Sequence, residues 1–400
     1  MPDLIKADLS FDDLKAACSP GGASVLTSVC HLAPAVGPHG TVAPAKYLAG
    51  KEPTYAYTPT IVDGQPAIAV VLSSKQDQAH RRQMALASAI DDAIHPAHAL
   101  MRRVPRISLR YEGSDAVFTD FDLPHRFADG HIRAGMHGST PVTATDAYRA
   151  VRDATPRNAT PLFNFSPISL AHGAWDASRK SNQVRLPSAM VSEIIGVLAD
   201  QGDGVMKTLP RGAARVDPVA ASINLAKADI KKIADRQKDE LSDKNYKKIS
   251  KPSELGLGNI APSLESIGTV ACSDITRSTV LSFATLRQLR FGGSSEQDVA
   301  FRAVLAALAL LGMALSDEEL YIRANCHLVE SEEPLVKLDG RYGRSTQLAP
   351  ITAELACELL TQSYAYAAEV GDFTWDGQVF EVTGDPAILA GSTDDADADA

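Results

Sequence analysis

The stretch that most limits the fold is the apolar run Ala303–Leu315, set inside a helical pattern from Glu296 to Leu315. A bilayer needs about 20 apolar residues, so this run is too short to span one and reads as a core helix. A helix apolar on every side has to be enclosed. The next segment, Tyr321–Val329, alternates apolar and polar positions as an edge or half-buried strand does, with Arg323 expected to point outward. A second strand-and-helix unit stands earlier in the chain. There Ala67–Leu72 is a continuous apolar run of strand length, followed by a polar turn and helical spacing through Met84, Leu86, Ala87 and Ile90.

The remaining segments fill in an α+β chain. Leu4–Lys15 has helical spacing and is stopped by Pro20-Gly21-Gly22, and Val25–Leu32 is apolar enough for a strand. Residues Pro34 to Pro66 are rich in Pro and Gly, with Tyr47, Tyr55 and Tyr57 interspersed, which predicts a surface excursion or hairpin. Ile107–Tyr111 and Ala116–Phe121 flank a turn-like Glu112-Gly113-Ser114-Asp115. Leu162–Leu170 reads as a buried strand, Thr279–Phe291 and Ile351–Val370 as helices, and Phe373–Val382 as a hairpin.

Four hundred residues at 45% hydrophobic content can bury a large core. The formal charge of −10 means that a nucleic-acid partner has to be held by a focused basic surface rather than by the average field. The segment Lys227–Lys251 has the opposite sign, with nine Lys or Arg against five Asp or Glu. It reads as a solvated charged helix or as an arm toward phosphates. The final residues alternate Asp and Ala and are expected to be disordered. Five widely spaced cysteines without a Cys-x-x-Cys pair indicate neither a disulfide framework nor a zinc ribbon, which fits a reducing cytoplasm. The N-terminus lacks a secretory pattern, and no membrane role is expected.

No phosphate-binding glycine loop, nucleophile elbow or two-histidine zinc helix is present, so no catalytic role and no cofactor are expected. His125, Asp129, His131 and His137 match no well-specified metal spacing, and no metal site is expected. The candidate binding residues are polar or basic groups on loops. Ser73, Ser74, Gln76, Gln78, His80 and Arg81 lie at a helix start, which favours anions but equally suits ordinary capping. His125 and Arg126 follow Pro124 on a polar turn, where one of them can face a phosphate. Trp175 and Asp176 precede a basic loop with Arg179, Lys180 and Arg185. Aromatic and cationic groups together suit a polyanion with stackable bases, although Trp175 can equally be core. Arg287 and Arg290 are placed three apart on one helix face, facing RNA or solvent. The aromatic RNA motif of ordinary RRM sheets is absent, so stacking of bases on a sheet is not predicted.

The run PLFNFSPISLAHGAWDASRKSNQVRLPSAMVSEIIG, with Gln78-Ala79-His80-Arg81, Pro124-His125-Arg126 and the exit Lys251–Pro262, resembles the backbone subunit of type I-G (formerly I-U) CRISPR Cascade complexes. The chain departs from the family pattern at a few positions: His80 stands for an asparagine, Gln83 for a glutamate, Gly130 and Ala261 for an alanine and a proline, and, as a minor departure, Ala177 shifts the following serine by one. The resemblance implies a modified RRM or ferredoxin-like palm with large insertions, of the repeat-associated mysterious protein superfamily. On that reading residues 1–216 and 264–385 form the palm, 217–263 a basic insertion equated with a thumb or arm, and 386–400 an acidic disordered tail. It implies that copies of the chain line up along a CRISPR RNA whose bases stay open for pairing with target DNA. Implied partners are a guide-processing and capping subunit, a large subunit and a helicase-nuclease. Lys247, Lys248, Lys251 and Asn259 join the RNA-contact candidates through this likeness. Two rival readings are an RNA nuclease using Asp129 or Asp176, and a protein scaffold without RNA contact.

Overall fold

The structure is a computed structural model that describes residues 6–50, 52–176, 185–200, 225–238, 243–255 and 268–388. Its frame is a nine-stranded sheet: β1 (Val25–Pro34), β2 (Tyr57–Val62), β3 (Gln65–Ser73), β4 (Met190–Leu198), β5 (Cys272–Ser282), β6 (Tyr321–Arg323), β7 (Cys326–Glu330), β8 (Leu335–Asp339) and β9 (Ser345–Leu348). The order is β6-β7-β1-β5-β4-β3-β2, with β8 continuing the edge of β1 and β9 beyond it. Every pairing in this sheet is antiparallel. Helices α1 (Phe11–Cys18), α2 (Lys75–Asp91), α3 (Ser295–Glu318) and α4 (Ala353–Val370) pack on one another. Taking β1, α2, β4, β5, α3 and β7 in chain order gives strand order β7-β1-β5-β4. This is the split β-α-β arrangement of a ferredoxin-like palm, so the expected α+β class holds. The β2-β3 hairpin widens it at one edge.

The helix α3 is the axis of the core. Every residue from Asp298 to Leu315 is buried, and Gly312 lies where a side chain would press within 3.0 Å of Leu86 on α2. Among the described residues it is the one helix long and apolar enough to cross a membrane, and it is wrapped inside the palm instead. Two apolar clusters share the helix-side face of the sheet, one around Leu26, Met190 and Leu281, the other around Cys30, Ile194 and Ile275. Between them runs a polar row. Ser28, Thr279 and Ser192 stand side by side in register. Thr279 donates to Ser192 at 2.8 Å, Ser192 to Gln78 at 3.4 Å, and Gln78 to Ser73 at 2.8 Å. From Thr279 to Ser73 the buried hydroxyls and the amide are tolerated because each is bonded to the next.

Three local expectations differ from the structure. Leu162–Leu170 is buried but forms two helical turns, Thr160–Phe163 and Ile168–His172. Pro161 and Pro167 explain this, since proline lacks the N–H that a central strand needs and suits the start of a helix. The Thr279–Phe291 segment begins as the end of β5 and is helical only over Phe283–Leu286. Arg323 turns inward, where its Nη1 donates to the carbonyls of Leu72 at 2.5 Å and Ala43 at 3.2 Å. A small second sheet is built from Arg106–Arg110, Val117–Thr119, Met136–His137, Thr140–Pro141 and Val379–Thr383. In place of the expected C-terminal hairpin, Val379–Thr383 runs parallel to Arg106–Arg110.

Candidate nucleic-acid interface

Three motif stretches far apart in sequence meet at Arg126. Its Nε donates to the Gln83 amide oxygen at 3.0 Å, and its Nη1 to the Gly173 carbonyl at 2.7 Å. Arg126 takes a left-handed φ of 53°, uncommon for a residue with a side chain, and this turns its guanidinium between α2 and the Ile168–His172 turn. Asp129 holds the turn from below by accepting from the backbone N–H of His125 at 3.2 Å and of His131 at 3.0 Å. Gly173 has a φ of 82°, and a Cβ there would lie 2.8 Å from Leu186 O and Ser188 N, so a side chain is excluded twice over.

From Gly173 the chain enters a short ribbon, Ala174–Trp175 paired with Arg185–Leu186. Trp175 is 43% exposed, and the Arg185 guanidinium lies 4.0 Å from its ring centroid. The next residue, Asp176, points the other way: it is buried and pairs with Arg133 at 3.2 Å. The ribbon thus presents an aromatic face and a cation outward and anchors itself inward, the pair of features that stacks on bases and attracts a phosphate backbone. By contrast, the open face of the palm sheet carries Val25, Thr27 and Val29 on β1, Val191 and Ile195 on β4, and Thr276, Ser278 and Val280 on β5. No Phe, Tyr or Trp stands on those central strands' open face.

The other candidates scatter. Ser74 caps α2 by accepting from the Asp77 N–H at 3.2 Å, and Gln78 is buried in the polar row. Arg81 pairs with Asp77 at 3.1 Å and donates to the carbonyls of Tyr321 and Ile322. It lines a groove of about 580 Å³ with His80, Met84, Ser88 and Tyr321. His80 and His125 are exposed. Arg287 donates to the carbonyls of Ala17 at 2.5 Å and Ala23 at 2.7 Å, tying down the end of α1. Arg290 is exposed and pairs with Asp298 at 3.4 Å, so the two arginines do not form one cationic face. Lys247, Lys248 and Lys251 are exposed in the basic segment. Arg179, Lys180 and Asn259 lie outside the described residues, as do parts of the basic segment and the last residues of the acidic tail.

Two groups that sequence reasoning passed over sit at the centre of the knot. Arg82 and His172 are 1% and 4% exposed. Burial pulls the Arg82 and Arg126 guanidinium pKa values down to about 10. Burial first, and then the two arginines, hold the His172 imidazole pKa well below its ordinary value, which keeps it neutral. The signal for Arg82 was its helical spacing with Gln78, Leu86 and Ile90, all on the buried face of α2.

Residues 26–201 match the family model described as CRISPR-associated protein GSU0053. The matched stretch is under half of the chain, and it contains all three motif stretches that meet at Arg126. It supports a CRISPR-associated protein. Comparison with curated proteins finds no match.

Proposed function

We propose that this chain is a guide-RNA-binding backbone subunit of a type I-G CRISPR surveillance complex, and that copies of it line up along the RNA. The observation that carries the reading is the outward-facing Trp175–Arg185 pair, set on a ribbon that Arg126 ties to a ferredoxin-like palm. The family match over the same residues supports it. Backbone contacts that ignore base identity suit a subunit that must accept any guide sequence. The basic segment with Lys247, Lys248 and Lys251 adds a second cationic surface for phosphates. The role is non-catalytic and cytoplasmic. Both carboxylates considered for RNA cleavage have structural bonds, Asp129 to backbone N–H groups and Asp176 to Arg133. The partners are the CRISPR RNA, target DNA through guide pairing, further copies of the chain, and the capping subunit, large subunit and helicase-nuclease of the same system.

The test is purification from cells that express a CRISPR array, followed by nuclease trimming, sequencing of the protected RNA and native mass measurement. The reading expects spacer-derived RNA protected in regular length increments, with the mass rising by one protomer per increment. Recovery of an RNA-free monomer would favour the scaffold reading, and defined internal cuts the nuclease.

A further inference from the structure

We infer that Arg82, His172 and Arg126 form a binding site for a single oxyanion, and that its ligand is one phosphate of the bound RNA. The assignment to RNA rests on the function proposed above; the oxyanion site itself rests on geometry. Nε and Nη2 of Arg82 are buried and have no acceptor among the described residues. These are the adjacent pair that forms the side-on fork of a guanidinium, the shape that takes two oxygens of a phosphate. Both ring nitrogens of His172 are likewise unpartnered. Arg126 contributes a second guanidinium, fixed by Gln83 and by the Gly173 carbonyl one residue beyond His172.

Three features narrow the ligand. No carboxylate of the described residues makes an ion pair with Arg82 or Arg126. Asp120 and Asp317 act on them only through longer-range attraction. A buried guanidinium with open donors is destabilising unless an anion completes it, so its presence here points to a ligand. The site also adjoins the ribbon that carries Trp175 and Arg185, so a strand stacked there has its phosphates next to the knot. Enclosure strengthens the attraction, because charge interactions grow as water is excluded. Entry requires the Gly173 turn to open, which the two-residue ladder, the Arg126 bond, the Asp176–Arg133 pair and the Ala189 N–H to Ala171 carbonyl bond at 2.9 Å all oppose.

The experiment has two arms on the full-length chain. In the first, thermal unfolding is followed as sodium phosphate replaces sodium chloride at constant ionic strength. Wild type should show a saturable rise in midpoint. Arg82→Met should start above wild type in chloride, because the uncompensated charge is gone, and should not respond to phosphate. Arg82→Lys keeps the charge but lacks the fork, so it should lose most of the response and serves if the methionine variant does not fold. In the second arm, the log–log salt slope of single-stranded RNA binding should fall by about 0.7 in Arg82→Met, which has lost the charge. A wild type that does not respond to phosphate, or three proteins that respond equally, would overturn the oxyanion site. Loss of the phosphate response with an unchanged RNA slope would overturn the RNA assignment alone. A phosphate response in a wild type that binds no RNA would keep the site and remove the function it was read from.

Discussion

The two tryptophans sit in opposite surroundings. Trp375 is 2% exposed, lies 4.7 Å from Phe163 and 5.4 Å from Phe373 between ring centroids, and donates its indole N–H to the Phe163 carbonyl at 3.1 Å. Trp175 lies on a two-residue ladder with its face toward solvent and a guanidinium 4.0 Å from its centroid. One ring is held by other rings and a backbone acceptor. The other is partly open to solvent beside a cation. The difference teaches that aromatic content in this chain marks two kinds of place, and that only neighbours distant in sequence tell them apart.

The sharpest way to break that comparison is truncation. Trp375→Ala should cost about 3–5 kcal/mol of stability in denaturant unfolding, as large aromatic deletions from packed cores do. Trp175→Ala should unfold within about 0.5 kcal/mol of wild type. Equal losses would show that the ribbon is part of the core. The second comparison reads binding: Trp175→Ala should weaken single-stranded RNA binding by about 1–3 kcal/mol, roughly 5- to 150-fold in Kd by filter binding. A Trp375 variant that still folds should bind as wild type does.

A third prediction uses pH. The His172 pKa is lowered in the folded state by burial and by the two arginines, so below its unfolded value of about 6.5 the unfolded chain binds a proton that the native chain refuses. The neutral-histidine contribution is therefore fully present above that value and is lost as pH falls toward the folded pKa. Asp120 and Asp317 act oppositely, since burial raises each to about 6 and makes their protonation stabilise the native state as pH falls. Comparing wild type with His172→Gln isolates the histidine. Below about pH 6 the gap between their unfolding free energies should change by about 1.4 kcal/mol per pH unit, with wild type losing ground. A constant gap from pH 7 to 5 would refute the assignment. The smallest effect concerns the basic segment: Lys247→Ala and Lys248→Ala should each lower the RNA salt slope by about 0.7 and leave stability unchanged.

Much of the palm was legible, because strands and helices of the core carry their own periodicity. The helix at Ser295–Glu318, the strands Val25–Pro34 and Gln65–Ser73, and the turn between Arg106–Arg110 and Val117–Thr119 follow the apolar spacing closely. Leu162–Leu170 misled because a fully buried run carries no period, and only its two prolines tell a helical turn from a strand. The candidate interface was legible as a set of stretches but not as a place. Nothing local in Arg126 announces that it bonds Gln83 and Gly173, and nothing in Arg81 shows that it is tied to the Tyr321 and Ile322 carbonyls. Arg82 was overshadowed by that neighbour, although its spacing with Leu86 placed it on the buried face.

The most direct test of the account is photo-crosslinking of 4-thiouridine RNA to the assembled protein, with the crosslinked peptides mapped by mass spectrometry. The account predicts crosslinks in the peptide that carries Trp175 and in the basic segment near Lys247, with the first lost in Trp175→Ala. Crosslinks confined to β1 and β5 on the open face of the palm sheet would contradict it.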